Sequence, residues 1–274
     1  MTKKTIWAKM LEIASFTGRK YIPPPNTTLN EKFSILRNID TSTLPNPTMR
    51  YLAIGNGNVN VIQNSADLPL HTGVRKVKDG ALFSHVPFII RDKEIGFTEE
   101  EKSKYRLMRE VNLGDKTYIM FMLKILNPDD NDSKLMTIET NGNGSMPTIE
   151  VFTTVDSEIL YPVDDRQLTN QLYTGNKYLF VADTIPITLS AEEMSNIQEA
   201  ITTLGLDEVS PSINEMALCT GIEYTDAETG IVETLDAQIA FFIELTHKLE
   251  MELNDGDDFY RDIDIGGMEP MRLA

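Results

Sequence analysis

The first residues that could do chemistry are a Gly-Asn-Gly-Asn run at residues 55–58, which holds the first two glycines of a dinucleotide-binding loop. Such a loop also needs a third glycine and a helix whose N-terminus receives the phosphate. Here the third glycine is missing, and Val-Asn-Val at residues 59–61 is typical of a strand. We therefore predict a hairpin turn at residues 55–58, and a second Gly/Asn turn at residues 141–144.

Two acidic clusters, at residues 129–132 and 254–258, could attract a calcium ion. Calcium takes about six to eight oxygen ligands, and its best-known loop has a glycine at the sixth position and a later glutamate. Neither cluster has that pattern, so the favoured interpretation is a solvated polar loop. A cytoplasmic metal-dependent hydrolase that uses these loops stays open as an alternative function.

The histidines and the single cysteine form no recognisable catalytic or metal-binding pattern. His71, His85 and His247 lie far apart, and none has a second ligand at the spacing of a zinc site. Cys219 has no partner for a disulfide, and the Met-Ala-Leu that precedes it predicts a small apolar residue in a strand. We therefore expect no cofactor, no metal site and no catalytic residue.

The densest positive cluster is formed by Lys102, Lys104, Arg106 and Arg109. It follows Thr-Glu-Glu-Glu at residues 98–101, which is typical of the capping box that begins a helix. The cluster could be an ordinary surface in contact with water. It could equally be a face that docks against an acidic surface. Both interpretations stay open, and the four cations are candidate interface residues.

Charge divides this chain into a basic and an acidic half. Residues 1–126 carry 19 basic and 12 acidic residues, whereas residues 127–274 carry 6 basic and 30 acidic residues. Such a chain could dock head-to-tail on copies of itself. The net charge of −17 argues against a general nucleic-acid binder, because phosphate binding needs a basic face.

The apolar segments predict no membrane contact. The longest apolar run, at residues 118–123, is too short to span a bilayer. Near the N-terminus, Lys9 and Glu12 interrupt the apolar residues, so no signal peptide is predicted. We expect the protein to work in the cytoplasm or in something assembled there.

Apolar residues recur at helical spacing near the N-terminus: Ile6, Met10, Ile13 and Phe16. They predict a helix over residues 5–16 that stops at Gly18. Three consecutive prolines follow and favour an extended polyproline segment: Pro23, Pro24 and Pro25. We interpret residues 1–30 as a helix and an arm that lie outside the main fold or against a neighbour, with the prolines as candidate interface residues.

Most of the remaining pattern predicts strands. Residues 105–126 predict a hairpin with its turn at Gly-Asp, residues 114–115, and further strands are predicted at residues 147–155 and 177–189. A second capping box at residues 190–193 predicts a helix that ends at Gly205. Apolar and polar residues then alternate over residues 243–253, which predicts a last strand.

This last strand is expected to pair with two strands at residues 214–224 and 231–235, which a turn at residues 226–230 would join. The fold class is therefore α+β and mainly β. We expect antiparallel sheets in a sandwich or barrel-like arrangement, with two or three short helices and extended N- and C-terminal arms.

Charge and turn signals together predict four segments along the chain. They are an N-terminal helix and Pro-rich arm, a basic β-rich domain, an acidic β-rich domain with one helix, and an acidic tail, at residues 1–30, 31–126, 127–253 and 254–274.

Four strand and turn segments resemble structural proteins of contractile-tailed bacteriophage virions, which have a β-rich body. In order they are Arg-Tyr-Leu-Ala-Ile-Gly-Asn-Gly, Pro-Phe-Ile-Ile-Arg, Tyr-Arg-Leu-Met-Arg and Tyr-Ile-Met-Phe, at residues 50–57, 87–91, 105–109 and 118–121. The resemblance covers roughly residues 45–126 and includes no catalytic motif.

The resemblance implies a virion component of the neck or connector, such as a collar or gateway ring, with a baseplate or other tail position as the next alternative. The partners it implies are copies of this chain and other virion proteins, among them portal, adaptor, tail or baseplate proteins. Passive contact with packaged DNA inside such a ring is also open. Contacts between copies would use arm exchange, charge complementarity and the hairpin at residues 105–126.

Overall fold

The computed structural model describes most of the chain, and the account below concerns residues 2–35, 39–57, 59–61, 70–72, 76–127, 132–139, 148–151, 177–206, 212–226, 232–243, 245, 249–250, 258–266 and 271–272. The helices within this part are α1 (Ile6–Phe16), α2 (Leu29–Lys32), α3 (Glu99–Lys104) and α4 (Ala191–Leu204), with a 3-10 turn at Thr41–Thr43. The strands are β1 (Thr2–Lys4), β2 (Thr48–Gly55), β3 (Val59–Val61), β4 (Leu70–Thr72), β5 (His85–Val86), β6 (Ile89–Asp92), β7 (Tyr105–Leu113), β8 (Lys116–Ile125), β9 (Asp132–Glu139), β10 (Thr148–Val151), β11 (Lys177–Leu189), β12 (Ser212–Ile213), β13 (Glu215–Thr225), β14 (Val232–Ile243), β15 (Leu249–Glu250), β16 (Phe259–Gly266) and β17 (Met271–Arg272).

The chain divides into two compact units. Unit 1 comprises Met1–Asn127 and Thr188–Tyr260, and unit 2 comprises Pro128–Ile187 and Arg261–Ala274. The predicted division into a basic and an acidic domain differs from this one, because much of the acidic segment belongs to unit 1. The reason is strand pairing: β13 pairs with β2, so the two ends of unit 1 share one sheet.

Unit 1 is built on an eight-stranded sheet that curls into a half-barrel. The order of its strands is β1-β14-β13-β2-β8-β6. In addition, β5 pairs with β2, and β7 pairs with β8. The strand pairs of this sheet are antiparallel, which confirms the predicted mainly β, antiparallel fold class. Its core is a cluster of buried side chains that includes Tyr51, Leu107, Met120, Cys219 and Phe242.

Local sequence signals placed several elements correctly. The hairpin of β7 and β8 turns at residues 114–115, where Gly114 has a φ of 60°. Capping boxes begin α3 at Thr98 and α4 at Ser190, and α4 ends at Gly205 in the left-handed conformation. Each of these features depends on neighbouring residues alone.

The predicted last strand at residues 243–253 is displaced from the strand that the fold contains. Besides β2, β13 pairs with β14, which ends at Ile243, and Leu249–Glu250 form the separate short strand β15. Residues 244, 246–248 and 251–253 of the predicted strand lie outside the described residues. The sequence Ala-Gln-Ile-Ala-Phe-Phe-Ile at the end of β14 is buried throughout. A strand covered on both faces has no alternation for a sequence pattern to reveal.

The predicted hairpin at residues 55–58 is wrong, because β3 pairs with β4 and not with β2. The backbone N–H of Asn56 instead donates to the carbonyl oxygen of Ser84 at 3.0 Å. A Cβ on Gly55 would collide with that carbonyl oxygen. The glycine is required here for a close approach of two backbones rather than for a turn. The second predicted turn, at residues 141–144, lies outside the described residues.

The N-terminal arm belongs to the body of unit 1, which corrects the prediction that it lies outside the main fold. Strand β1 extends the sheet beside β14, and Leu29 is fully buried. The Tyr21 hydroxyl donates to Gln238 Oε1 at 2.7 Å inside the protein. The buried amide of Asn30 also bonds the backbone of β14 on both sides of Asp236. Polar residues thus fasten the arm to β14.

A capping box at the end of the arm makes part of its attachment sensitive to acid. Burial acts to raise the pKa of Glu31, but hydrogen bonds from the backbone amides of Asn26, Thr27 and Thr28 and from the Thr28 hydroxyl outweigh it and lower that pKa. The stabilisation is therefore present above the ordinary pKa of 4.5 and is lost as the pH falls through the folded value.

We expect wild type to be more stable than Glu31→Gln at pH 6, and we expect the difference to shrink at pH 3. Urea unfolding of both proteins at the two pH values measures it. A difference that is the same at both values would contradict this role of the Glu31 carboxylate.

Unit 2 contains a five-stranded sheet in the order β10-β9-β11-β16, with β17 beside β11. Strand β11 spans the predicted residues 177–189, and β10 covers the start of the predicted strand at 147–155. The C-terminal residues 254–274 were predicted to be a tail, but β16 belongs to this sheet. The correction has a local reason, since Ile263 is buried while its neighbour Asp262 is exposed.

Candidate assembly surface

Helix α1 carries apolar side chains on two opposite faces. Ala8 and Leu11 face inward and are buried, and the backbone N–H of Thr5 donates to the carbonyl oxygen of Ala240 in β14 at 2.9 Å. The opposite face, which we call the α1 apolar face, is exposed and consists of Ile6, Met10, Ile13 and Phe16. Ile13 is 64% exposed and Phe16 is 93% exposed.

This arrangement differs from that of an ordinary surface helix. Such a helix turns its apolar stripe to the core and its charged residues to water. In α1 the stripe that the sequence displays is the one turned away from the core. A cluster of large apolar side chains in water is typical of a surface that contacts another molecule.

The rim of the α1 apolar face is mainly basic. Lys4 forms an ion pair with Glu12, and the Lys20 ammonium donates to the carbonyl oxygens of Leu44 and Pro45. Arg19 is exposed, and its guanidinium has no ion pair or hydrogen bond within the described part of the chain. One free cation therefore lies close to Phe16 in sequence, just beyond the end of α1.

Three of the four cations of the predicted basic cluster form ion pairs within the chain, two of them on the surface, and the fourth contacts an aromatic ring. Lys102 and Lys104 pair with glutamates of their own helix, Glu99 and Glu100, at 2.8 and 2.7 Å. Arg106 pairs with Glu223 of β13 at 3.2 Å. The Arg109 guanidinium lies 5.5 Å from the centre of the Phe33 ring. These partners account for all four cations, and a role of the cluster in docking stays a prediction.

The predicted proline site lies on the arm between Tyr21 and α2. Pro25 is exposed, whereas Pro23 and Pro24 are half-buried. The Thr27 hydroxyl donates to the Pro24 carbonyl oxygen at 2.6 Å, which turns the chain into α2. That these three prolines lie at an interface also stays a prediction.

The basic and acidic halves of the sequence do not form separate surfaces within unit 1. Cations from residues 1–126 pair with carboxylates from residues 127–274 at four places: Arg50–Glu223, Arg91–Glu199, Arg106–Glu223 and Lys124–Glu193. Residues of opposite charge from the two halves of the sequence therefore lie side by side within unit 1.

A cleft of about 270 Å³ lies beside the N-terminus of α4. We call it the charged cleft, and its lining includes Ile89, Tyr105, Lys124, Ile125, Glu192 and Glu193. The Glu193 carboxylate accepts hydrogen bonds from Lys124 at 2.7 Å, from the Tyr105 hydroxyl at 3.1 Å and from the Ser190 backbone N–H at 2.9 Å. The capping role of Glu193 follows from the local sequence at residues 190–193, whereas the cleft depends on distant parts of the chain.

Most titratable side chains of the charged cleft are engaged in hydrogen bonds or ion pairs. Burial, followed by the nearby charge of Glu193, raises the pKa of Tyr105, so its hydroxyl stays protonated at neutral pH. Lys124 and Glu193 are each other's partners, which leaves neither as a free base. Glu192 is the exception, because its exposed carboxylate forms no ion pair with any described residue.

Two other candidate chemical residues, His85 and Cys219, have packing or hydrogen-bond contacts inside unit 1, and His71 lies in β4. His85 Nε2 accepts the backbone N–H of Leu82 at 2.9 Å, and its ring packs edge-on against Phe33. Cys219 is fully buried in β13 as predicted, and burial raises the pKa of its thiol. Among the described side chains no group of three or more potential ligands could hold a metal ion. His247 and most of the two acidic clusters lie outside the described residues.

The fold and the exposed face define a mainly β protein of two units that carries an unpartnered apolar helix face within its described part. The chain belongs to a family of unknown function, DUF7208, whose model matches residues 1–274. No curated protein matches the chain. No solved structure matches it. In the described part of the chain, none of the helices has both the length and the apolar character needed to cross a bilayer.

Proposed function

We propose that this chain is a structural subunit of a tailed-bacteriophage virion that assembles with copies of itself into a ring of the neck or connector. The observation that carries the proposal is the α1 apolar face. Its four large side chains are exposed, although the opposite side of the same helix packs on the core. Packing this face against a second copy would remove apolar area from water, which is the main driving force of protein association.

The virion setting is supported by the resemblance of residues 45–126 to structural proteins of contractile-tailed phages. Among the described side chains, no group of three or more potential ligands could hold a metal ion, so the alternative of a metal-dependent hydrolase gains no support from them. The neighbours of such a ring would be other virion proteins. We propose a structural role without catalysis and without a cofactor.

Assembly by exchange of the arm is less favoured than assembly through the α1 apolar face. An exchange would break the buried hydrogen bonds of Tyr21 and Asn30 before it formed new ones. Charge complementarity between a basic and an acidic half is also less favoured, because residues from the two halves intermingle and form ion pairs within unit 1. Apolar packing is therefore proposed as the main contact, with charge in a minor role.

The test is electron microscopy of the purified, concentrated protein and of the double variant Ile13→Ser/Phe16→Ser. We expect closed rings from wild type and single particles from the double variant, since serine removes most of the exposed apolar area without touching the core. The matched control is Ile95→Ser, because Ile95 is 79% exposed and lies away from α1 in the sequence. Rings from the double variant, or none from wild type, would contradict the proposal.

A further inference from the structure

The α1 apolar face and the charged cleft are built on different strands of the unit 1 sheet, which do not pair with each other. Helix α1 packs on β14, which is next to the edge strand β1. The cleft is lined from β6, β8 and the start of β7, and β13 and β2 lie between β14 and β8 in the sheet order. Two complementary surfaces placed in this way on one subunit would produce a head-to-tail interface, which generates a ring when the rotation closes.

The two surfaces are also complementary in chemistry. The α1 apolar face ends at Phe16 and is followed by Arg19, a cation without a described partner. The cleft offers the half-buried side chain of Ile125, with the fully buried Ile89 also in its lining, together with Glu192, an exposed carboxylate that forms no ion pair with a described residue. An apolar group next to a cation thus meets a partly apolar cleft next to a carboxylate, which lies near Lys104 but forms no ion pair with it.

We propose that the α1 apolar face of one copy docks in the charged cleft of the next, with Phe16 entering the cleft and Arg19 facing Glu192. This inference rests on the proposed self-assembly and adds which two surfaces meet. The receiving cleft is preorganised, because Lys124 and Glu193 cross-link β8 to the N-terminus of α4. The contact is heterologous, so each subunit has one donor surface and one acceptor surface.

The test is a complementation experiment with two variants that damage different surfaces. Ile13→Ser/Phe16→Ser damages the donor surface, and Glu192→Lys damages the acceptor surface by placing a cation opposite Arg19. We expect each variant alone to lose self-association by about tenfold or more at low salt, as measured by sedimentation velocity. Mixed in equal amounts, the two variants should form a one-to-one dimer that native mass spectrometry identifies and that grows no further.

The control for charge and folding is Asp115→Lys. This substitution makes the same change in charge at the turn of the β7–β8 hairpin, which is the end opposite to the cleft. It should assemble as wild type does. Thermal unfolding of Glu192→Lys should show that the variant remains folded, and Glu192→Gln should weaken assembly less than the lysine variant does.

The outcomes separate this inference from the proposed function. If wild type is a monomer, both are wrong. If the donor variant is monomeric but Glu192→Lys assembles as wild type does, the charged cleft is not the acceptor, and two α1 apolar faces or another site form the contact. If both variants are monomeric but their mixture forms no dimer, the head-to-tail arrangement is also overturned.

Discussion

Replacing Asn30 with alanine is expected to lower the free energy of unfolding by about 3 kcal/mol. The Asn30 Nδ2 donates to the carbonyl oxygen of Thr234 at 2.8 Å, and the backbone N–H of Ala237 donates to Asn30 Oδ1 at 2.8 Å. Both bonds are buried and flank Asp236, whose φ is 51°. Without the amide, one backbone donor and one acceptor would be left unsatisfied inside the protein.

Urea unfolding of wild type and Asn30→Ala measures this effect. The matched control is Asn112→Ala, since the exposed Asn112 side chain accepts only the Thr117 hydroxyl on the hairpin. We expect the control to change the free energy of unfolding by less than about 0.5 kcal/mol. Equal effects of the two substitutions would show that Asn30 does not hold the arm to β14.

Substituting Gly55 with alanine is expected to cost about 3 kcal/mol of stability. The new methyl group would collide with the Ser84 carbonyl oxygen, which belongs to the backbone and cannot rotate away. That carbonyl oxygen also accepts the backbone N–H of Asn56 at 3.0 Å, so moving it would weaken this hydrogen bond.

Thermal or urea unfolding tests the prediction, with Gly114→Asn as the comparison. Gly114 also has special geometry, with a φ of 60°, but nothing lies near the position of its Cβ, and asparagine tolerates the left-handed region better than most residues. The comparison variant should lose less than about 1 kcal/mol. If alanine at residue 55 is harmless, the close approach to Ser84 does not constrain this position.

The sequence was sufficient where structure depends on neighbours in the chain. The turn at residues 114–115, the capping boxes at Thr98 and Ser190 and the helix stop at Gly205 follow from residues within one turn of each other. The short helix α2 was missed, although Thr28 and Glu31 form the same capping box. Its single turn is too short to give a periodic apolar pattern.

The errors have a common cause in contacts between distant parts of the chain. No local pattern places Asn30 beside Ala237 or Arg106 beside Glu223. The charge pattern of the two halves predicted separate surfaces, but strand pairing between β2 and β13 mixes them in one unit. In the same way, the sequence shows the apolar stripe on α1. Whether that stripe faces the core or the solvent depends on which side of α1 packs on β14.

The central claim is that copies of this chain associate through an apolar face, and sedimentation velocity of the wild-type protein over a range of concentrations tests it most directly. We expect a mass above the 30.9 kDa of one chain that rises with concentration and persists at high salt, because salt screens charges but does not weaken apolar burial. A mass of 30.9 kDa at every concentration would contradict the account. Complete dissociation by salt alone would contradict it as well.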